Sequence, residues 1–275
     1  MDAREKPEGG SESGDLAREP ILLKNAAGGV VRLILNRPAA RNALSVALLG
    51  ELQQALDDLA KDDTAKVVVI SANGPVFCAG HDLREIRANP GRQYYERVFA
   101  QNAKLMLAIV NLPKPVIAQV HGVATAAGCQ LVASCDLAVA AEGARFATPG
   151  VNIGLFCSTP MVALSRAVPR KKAMEMLLTG EMIGAHQARD WGLVNRVVPE
   201  NRLADEVAAL AGQIAGKSPL VVKIGKQAFY RQAELGLAEA YDYASQVMTT
   251  NMLARDAEEG IDAFLQKRPP KWENR

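Results

Sequence analysis

HGVATAAGCQLVASCDLAVAAEGARFATPG, residues His121–Gly150, is the stretch whose reading decides the fold. A run of small residues, Ala124–Gly128, lies between an apolar strand (Pro115–Val120) and a helical segment (Gln130–Ser134). Small side chains let the backbone approach a ligand, and the free N–H groups at a helix start attract negative charge. Such an arrangement suits an oxyanion hole, in which fixed donors meet charge that develops during reaction. By itself an Ala/Gly run is also the mark of close helix packing.

Working outward, Val30–Leu35 reads as a strand that ends in the loop Asn36-Arg37-Pro38. Ser45 is placed to cap a helix with Leu48, Leu49, Leu52, Ala55, Leu56 and Leu59 on one face. Lys66–Ser71, Pro115–Val120 and Asp136–Ala141 are short continuous apolar runs, as in strands buried on both sides. A loop over Ala72–Gly80 leads to Asp82, and Gln101–Asn111 has helical periodicity. Strands alternating with helices predict an α/β fold of stacked strand–helix units. From Thr159 the pattern turns helical, over Leu164–Leu178, Ala185–Asp190, Arg202–Gly216, Pro219–Glu234 and Leu237–Leu253, with a strand-like break at Leu193–Val198.

The 275 residues carry 32 basic and 30 acidic side chains, a formal net charge of +2, so no electrostatic footprint for nucleic acid is expected. No apolar run approaches the roughly 20 residues that span a bilayer. Cys78, Cys129, Cys135 and Cys157 form no CxxC pair and have no histidine at zinc spacing, so no metal is expected and the cysteines read as small hydrophobes. Residues 1–19 are rich in acids, unlike a mitochondrial transit peptide, and read as a disordered tail. The corresponding expectation is a bacterial cytoplasm.

Six ordered stretches now stand together. They are Arg41-Asn42-Ala43-Leu44-Ser45, Phe77-Cys78-Ala79-Gly80-His81-Asp82-Leu83, the His121–Gly150 stretch, and Glu175-Met176-Leu177-Leu178-Thr179-Gly180. Trp191-Gly192-Leu193-Val194 and Gly260–Arg268 complete the set. In this order, over about residues 20–272, the chain resembles the crotonase superfamily, the enoyl-CoA hydratase/isomerase family. The resemblance implies a ClpP/crotonase-like spiral of ββα units over residues 20–200. It also implies a helical region, 201–275, that assembles homotrimers or dimers of trimers. The partner implied is an acyl-CoA thioester, with coenzyme A entering as part of the substrate and no separate cofactor.

By the same resemblance, the backbone N–H groups of His81 and Ala127 would stabilise a thioester enolate, beside Gly128. Relatives commonly have glycine at the positions of Ala126 and Ala127; alanine keeps the N–H with less backbone freedom. Arg41 and Arg84 match basic residues set against the CoA phosphates. Ala43, Ala79, Asp82 and Leu83 match the adenine and pantetheine path, and Phe264 and Lys267 a C-terminal segment that completes the CoA site, often from a neighbouring subunit. Ser158, with Cys157 and Thr159, falls where relatives place varied catalytic groups, although Ser158 or Thr159 before Pro160 also reads as a helix start.

The chain departs from the family's hydratases at two places. Gln130 and Gly150 stand where those enzymes carry the two glutamates that move protons and hold water. Glutamine can hold a water but has no proton to exchange near neutral pH, and glycine supplies nothing. Efficient hydration is therefore not expected, and a non-catalytic acyl-CoA-binding role is the alternative to an isomerase- or lyase-type enzyme. His81 is the one histidine close to the hole by motif. The Gln130 pattern is similar to one subgroup, the third enoyl-CoA hydratase domain-containing proteins, found in animal mitochondria and lacking the same pair.

Overall fold

The computed structural model describes residues 19–275, so the acidic tail lies outside the described residues except for Glu19. Strand β1 (Leu22–Ala27) pairs antiparallel with β2 (Val30–Leu35), as the alternation over Val30–Leu35 predicts. Helix α1 (Val46–Lys61) starts at Ser45, whose hydroxyl accepts from the Leu48 N–H at 3.2 Å. Strand β3 (Val67–Ala72) is followed by α2 (Leu83–Ala88) and α3 (Arg92–Asn111), then by β4 (Val116–Val120), β5 (Val123–Thr125) and α4 (Ala127–Ser134). Next come β6 (Leu137–Ala141) and β7 (Arg145–Ala147). The main sheet has the order β1-β2-β3-β4-β6 with a sixth strand, β9 (Arg196–Val198), at its far edge, and every pair after the first is parallel. A smaller sheet joins β5, β7 and β8 (Ile183–Gly184).

Both faces of the central strands β3, β4 and β6 are covered, which is why these are mostly apolar, whereas the edge strand β1 is largely exposed. Val68 and Ile70 face one core with Leu48, Leu52, Leu105 and Ile109. Val67 and Val69 face the other, where α8 (Leu203–Ala215) lays Leu203, Val207 and Leu210 on the sheet. The helix just beyond residue 200 thus closes the second face of the sheet.

One helix was expected over Leu164–Leu178, and the structure has two, α5 (Pro160–Ala167) and α6 (Arg170–Thr179). Pro169 has no N–H to donate and forces Val168 into extended backbone, at φ −125° and ψ 157°. Helix α7 (Ala185–Asp190) precedes β9.

Helices α9 (Pro219–Gln232), α10 (Leu237–Met252) and α11 (Arg255–Leu265) complete the chain. The first is pinned to the core by a buried polar cluster. Lys226 Nζ donates to Asp136 Oδ2 at 2.7 Å and to the carbonyls of Ile109 and Lys114, and Tyr230 OH donates to Asp136 Oδ1 at 2.9 Å. Removing the carboxylate strands a buried ammonium. Asp136→Ala is expected to lower the unfolding free energy by about 3–5 kcal/mol, measurable by urea denaturation, whereas an unchanged midpoint would show that the cluster contributes nothing. Phe229, Leu237, Tyr241, Met248, Leu253 and Phe264 leave an apolar surface exposed on these three helices.

All four cysteines are free and buried, in keeping with their apolar setting. Among the described residues no single helix is long and apolar enough to cross a membrane, and no group of metal-ligating side chains clusters.

Candidate active site

Two loops far apart in sequence are zipped together at the ends of β3 and β4. Cys78 bridges Ala124 in parallel: its N–H donates to Val123 O at 3.1 Å, and its carbonyl accepts from Thr125 N at 3.0 Å. Thr125 Oγ1 adds a bond to Ala79 O at 3.2 Å. Gly128 lets the start of α4 sit directly on this loop, since a Cβ there would meet Cys78 O at 2.2 Å. Gly80, at φ +92°, makes the reciprocal approach: its Cβ would lie 3.3 Å from Ala127 N.

This zipper aims two donors. On one side His81 is bridged to Leu44, through Leu44 N to Gly80 O and Asp82 N to Leu44 O. In such a parallel bridge the flanking residues make the bonds, and the N–H of His81 itself faces away from Leu44. Ala127 is the first residue of α4, where a helix leaves its N–H groups unpaired. Neither N–H donates to any acceptor among the described residues. Ala126, just before, bonds through its own N–H to Ala147 O at 2.9 Å. It adopts φ +50° and ψ −118°, a conformation natural to glycine and costing about 1–3 kcal/mol in alanine. Ala126→Gly is expected to raise stability by about 1 kcal/mol, seen as a melting point higher by a few degrees; a lower one would contradict the strain.

The side chains around the donors are held by α3. Phe99 packs edge-on to the His81 ring at 5.5 Å between centroids, and Asn102, one turn along, donates from Nδ2 to Gln130 Oε1 at 2.9 Å. Asn102 is fully buried and Gln130 is 4% exposed. Burial pushes the His81 pKa from 6.5 down to about 4, so the ring is neutral at pH 7. The depressed value means that only the unfolded state takes up a proton as pH falls below 6.5. Stability contributed by this residue is therefore complete above 6.5 and lost as pH drops toward 4, by up to about 3 kcal/mol. A denaturation series over that range should show the fall, and His81→Phe should flatten it.

The space beside Gly150, where the resemblance leads one to expect a glutamate, is filled. A Cβ on Gly150 would lie 2.8 Å from Leu155 O and 2.9 Å from Cys157 Sγ, and Gly150 O accepts from Leu155 N just past the end of a 3-10 helix, Pro149–Ile153. The Cys157 thiol is itself pushed up by burial and is protonated. Ser158 is exposed and its hydroxyl turns back to Phe156 O.

Among the residues matched to coenzyme A, Ala43 is buried, Ala79 half-buried, and Leu83 and Arg84 exposed at the start of α2. Arg41 is exposed and its carbonyl accepts from Ala79 N at 3.1 Å; neither Arg41 nor Arg84 has an ion pair among the described residues. The Asp82 carboxylate is engaged, capping α2 through Glu85 N and pairing with Arg37 at 3.0 Å. Phe264 is 82% exposed and lines an apolar groove of about 600 Å³ with Val221, Met248 and Trp272, which no residue of the hole lines. Within one chain, Phe264 is therefore not brought to the two donors. Lys267 is exposed three residues on. His121 Nε2 donates to Gly74 O at 2.6 Å, a structural bond.

Sequence reasoning passed over Asn102 and Phe99. Asn102 does carry a signal: it falls on the apolar stripe of α3 with Val98, Leu105 and Ile109, where a polar side chain needs a partner.

The mainly parallel sheet with helices on both faces defines an α/β class, and comparison with known proteins gives the family. The enoyl-CoA hydratase/isomerase profile matches residues 25–275, and the chain belongs to that family. It is 51% identical over 262 residues to enoyl-CoA hydratase domain-containing protein 3, mitochondrial, of Xenopus laevis, covering 95% of this chain and 89% of the relative. A crystal structure of an enoyl-CoA hydratase from Mycobacterium smegmatis superposes with TM-score 0.91 at 55% identity, over 92% of this chain and 99% of that one. The 2,3-dehydroadipyl-CoA hydratase of Escherichia coli is 38% identical over 90% of this chain and 96% of its own length.

The expected bacterial cytoplasm is corrected by these relatives. The Xenopus laevis protein and its rat, human and zebrafish counterparts, 51–53% identical, are all named mitochondrial. An acidic N-terminal stretch is not a sound guide to compartment.

Proposed function

We propose that this protein binds acyl-CoA thioesters and holds the thioester oxygen between the N–H groups of His81 and Ala127. The observation that carries the reading is the pair of backbone donors, unpaired among the described residues, on two loops that Gly80 and Gly128 bring into contact. Amides of this kind stabilise an enolate oxygen without having to ionise. Arg41 and Arg84, without ion pairs among the described residues, take the CoA phosphates, and coenzyme A enters only as part of the substrate. Phe264 and Lys267 serve the CoA site of a neighbouring subunit. The exposed apolar surface of α9–α11 supports a homotrimer, which sedimentation at micromolar concentration tests directly; a monomer would refute it.

Chemistry beyond polarisation is limited by what stands beside the hole. Gln130 and Gly150 supply no acid or base, and the His81 ring, with its pKa lowered to about 4, is neutral and only a weak base. This favours lyase-type enolate chemistry in which a breaking carbon–carbon bond, as in decarboxylation, leaves the enolate without proton abstraction by the protein, whereas isomerase-type chemistry would need a proton carrier beyond these residues. The same observation supports the second reading, a non-catalytic acyl-CoA-binding protein. Calorimetry with butyryl-CoA and with its thioether analogue, which lacks the carbonyl oxygen, tests the hole. Two hydrogen bonds should favour the thioester by about tenfold; equal affinities would remove the basis for the reading.

A further inference from the structure

A second cavity, of about 170 Å³, lies where β3 and β4 begin, between the end of α1 and the start of α9. A water needs about 10–15 Å³ of such space, so a four-oxygen anion fits with room to spare. Lys66, Lys114 and Lys223 line it against one carboxylate, Asp63. None of the three lysines makes an ion pair among the described residues. Lys114 is 8% exposed, and its ammonium has one long bond, to Ala60 O at 3.4 Å. Two of its three donors are thus unanswered in a buried place. Burial pulls its pKa below the ordinary lysine range, Asp63 and Asp62 oppose the shift, and Lys223 adds to it. The Asp62 carboxylate is itself engaged, by Thr64 N at 2.9 Å and Thr64 Oγ1 at 2.6 Å. The start of α9 adds a donor: Ser218 Oγ caps Val221 N, while the Leu220 N–H, also in the cavity wall, donates to nothing among the described residues.

We propose that this cavity binds a small oxyanion of the phosphate class, held by Lys66, Lys114 and Lys223 with the Leu220 N–H. The lysines outnumber the carboxylate by two charges, close to the about −1.5 to −2 that a phosphate monoester carries at pH 7. Lysine serves phosphate as a point charge, so no bidentate fork is needed. A cation would meet like charges, and an apolar ligand would leave the buried ammonium of Lys114 without a counter-charge. A monocarboxylate brings only a single charge. The bound anion ties the start of α9 to the loops that precede β3 and β4. Strand β3, six residues and about 20 Å long, separates this site from the hole that follows it, so the two are distinct.

Calorimetry with inorganic phosphate and with glycerol 3-phosphate tests the site, at constant ionic strength so that general screening is held fixed. The parent should bind inorganic phosphate with a Kd of about 1 mM or tighter, and Lys114→Met should weaken it at least about tenfold. Lys223→Gln, at an exposed position that should not disturb the fold, should weaken it several-fold. Lys61→Gln, exposed on α1 and outside the cavity wall, should leave the affinity unchanged. Binding of both compounds would mean that the site admits phosphate esters, and binding of inorganic phosphate alone that it takes the free ion; either supports the proposal. No binding by the parent at about 10 mM phosphate would overturn it. Equal affinity in the parent, Lys114→Met and Lys223→Gln would do the same.

Discussion

Crotonyl-CoA is expected to be hydrated at least about 10⁴-fold more slowly by this protein than by a family hydratase that carries both glutamates. Each acid–base group contributes about 10²–10⁴ in rate, and two groups that act as a unit lose most of their effect together. The structure makes the deficit hard to repair. Gln130→Glu should fold, since a carboxylate can keep the bond from Asn102 Nδ2, but it would lack its partner. Gly150→Glu has no room: its Cβ alone would meet Leu155 O and Cys157 Sγ inside 3 Å, so the loop must be rebuilt before a side chain can point anywhere. Neither single change nor the double change should restore turnover. Recovery in the double variant, followed by loss of enoyl absorbance, would mean that the filled seat at Gly150 is irrelevant.

Gly128→Ala should have the largest effect on binding. The new methyl would sit 2.2 Å from Cys78 O and 2.8 Å from Cys78 C and Cβ, backbone that is held by its bonds to Val123 and Thr125. Relief requires α4 to move away from the loop, and Ala127 N moves with it. Overpacking of this kind costs about 1–3 kcal/mol in stability, and loss of one donor of an oxyanion hole costs about 10²–10³ in rate where there is turnover. For binding, the preference for butyryl-CoA over its thioether should vanish while the protein still melts cooperatively. A variant that kept the preference would show that Ala127 is not one of the donors.

The parts of the fold that could be read from sequence are those governed by local periodicity. Val30–Leu35 and Ala185–Asp190 match β2 and α7, and Ser45 caps α1 as its position implies. Segments too short for a period escaped: β5 and β7 have three residues each and exist because they pair with one another. At Pro169 the apolar period ran on through a residue that cannot continue a helix, and periodicity alone was the wrong guide.

The site divides in the same way. His81, Ala127, Gln130 and Gly150 stood out by motif, because relatives of known pattern fix what belongs at each position. Contacts that give those positions meaning join residues far apart in the chain: Cys78 with Gly128, and Asn102 with Gln130. Nothing in the neighbouring sequence of Gly150 announces that Leu155 and Cys157 occupy the space beside it. Side-chain volume placed by a loop is a tertiary fact.

The central claim is that the amides of His81 and Ala127 hold a thioester oxygen. A crystal structure with bound butyryl-CoA tests it most directly. The claim predicts the thioester oxygen at about 2.7–3.1 Å from both nitrogens. A bound ester whose oxygen meets neither amide, or whose acyl group lies outside the space between Gly80 and Ala127, would contradict it.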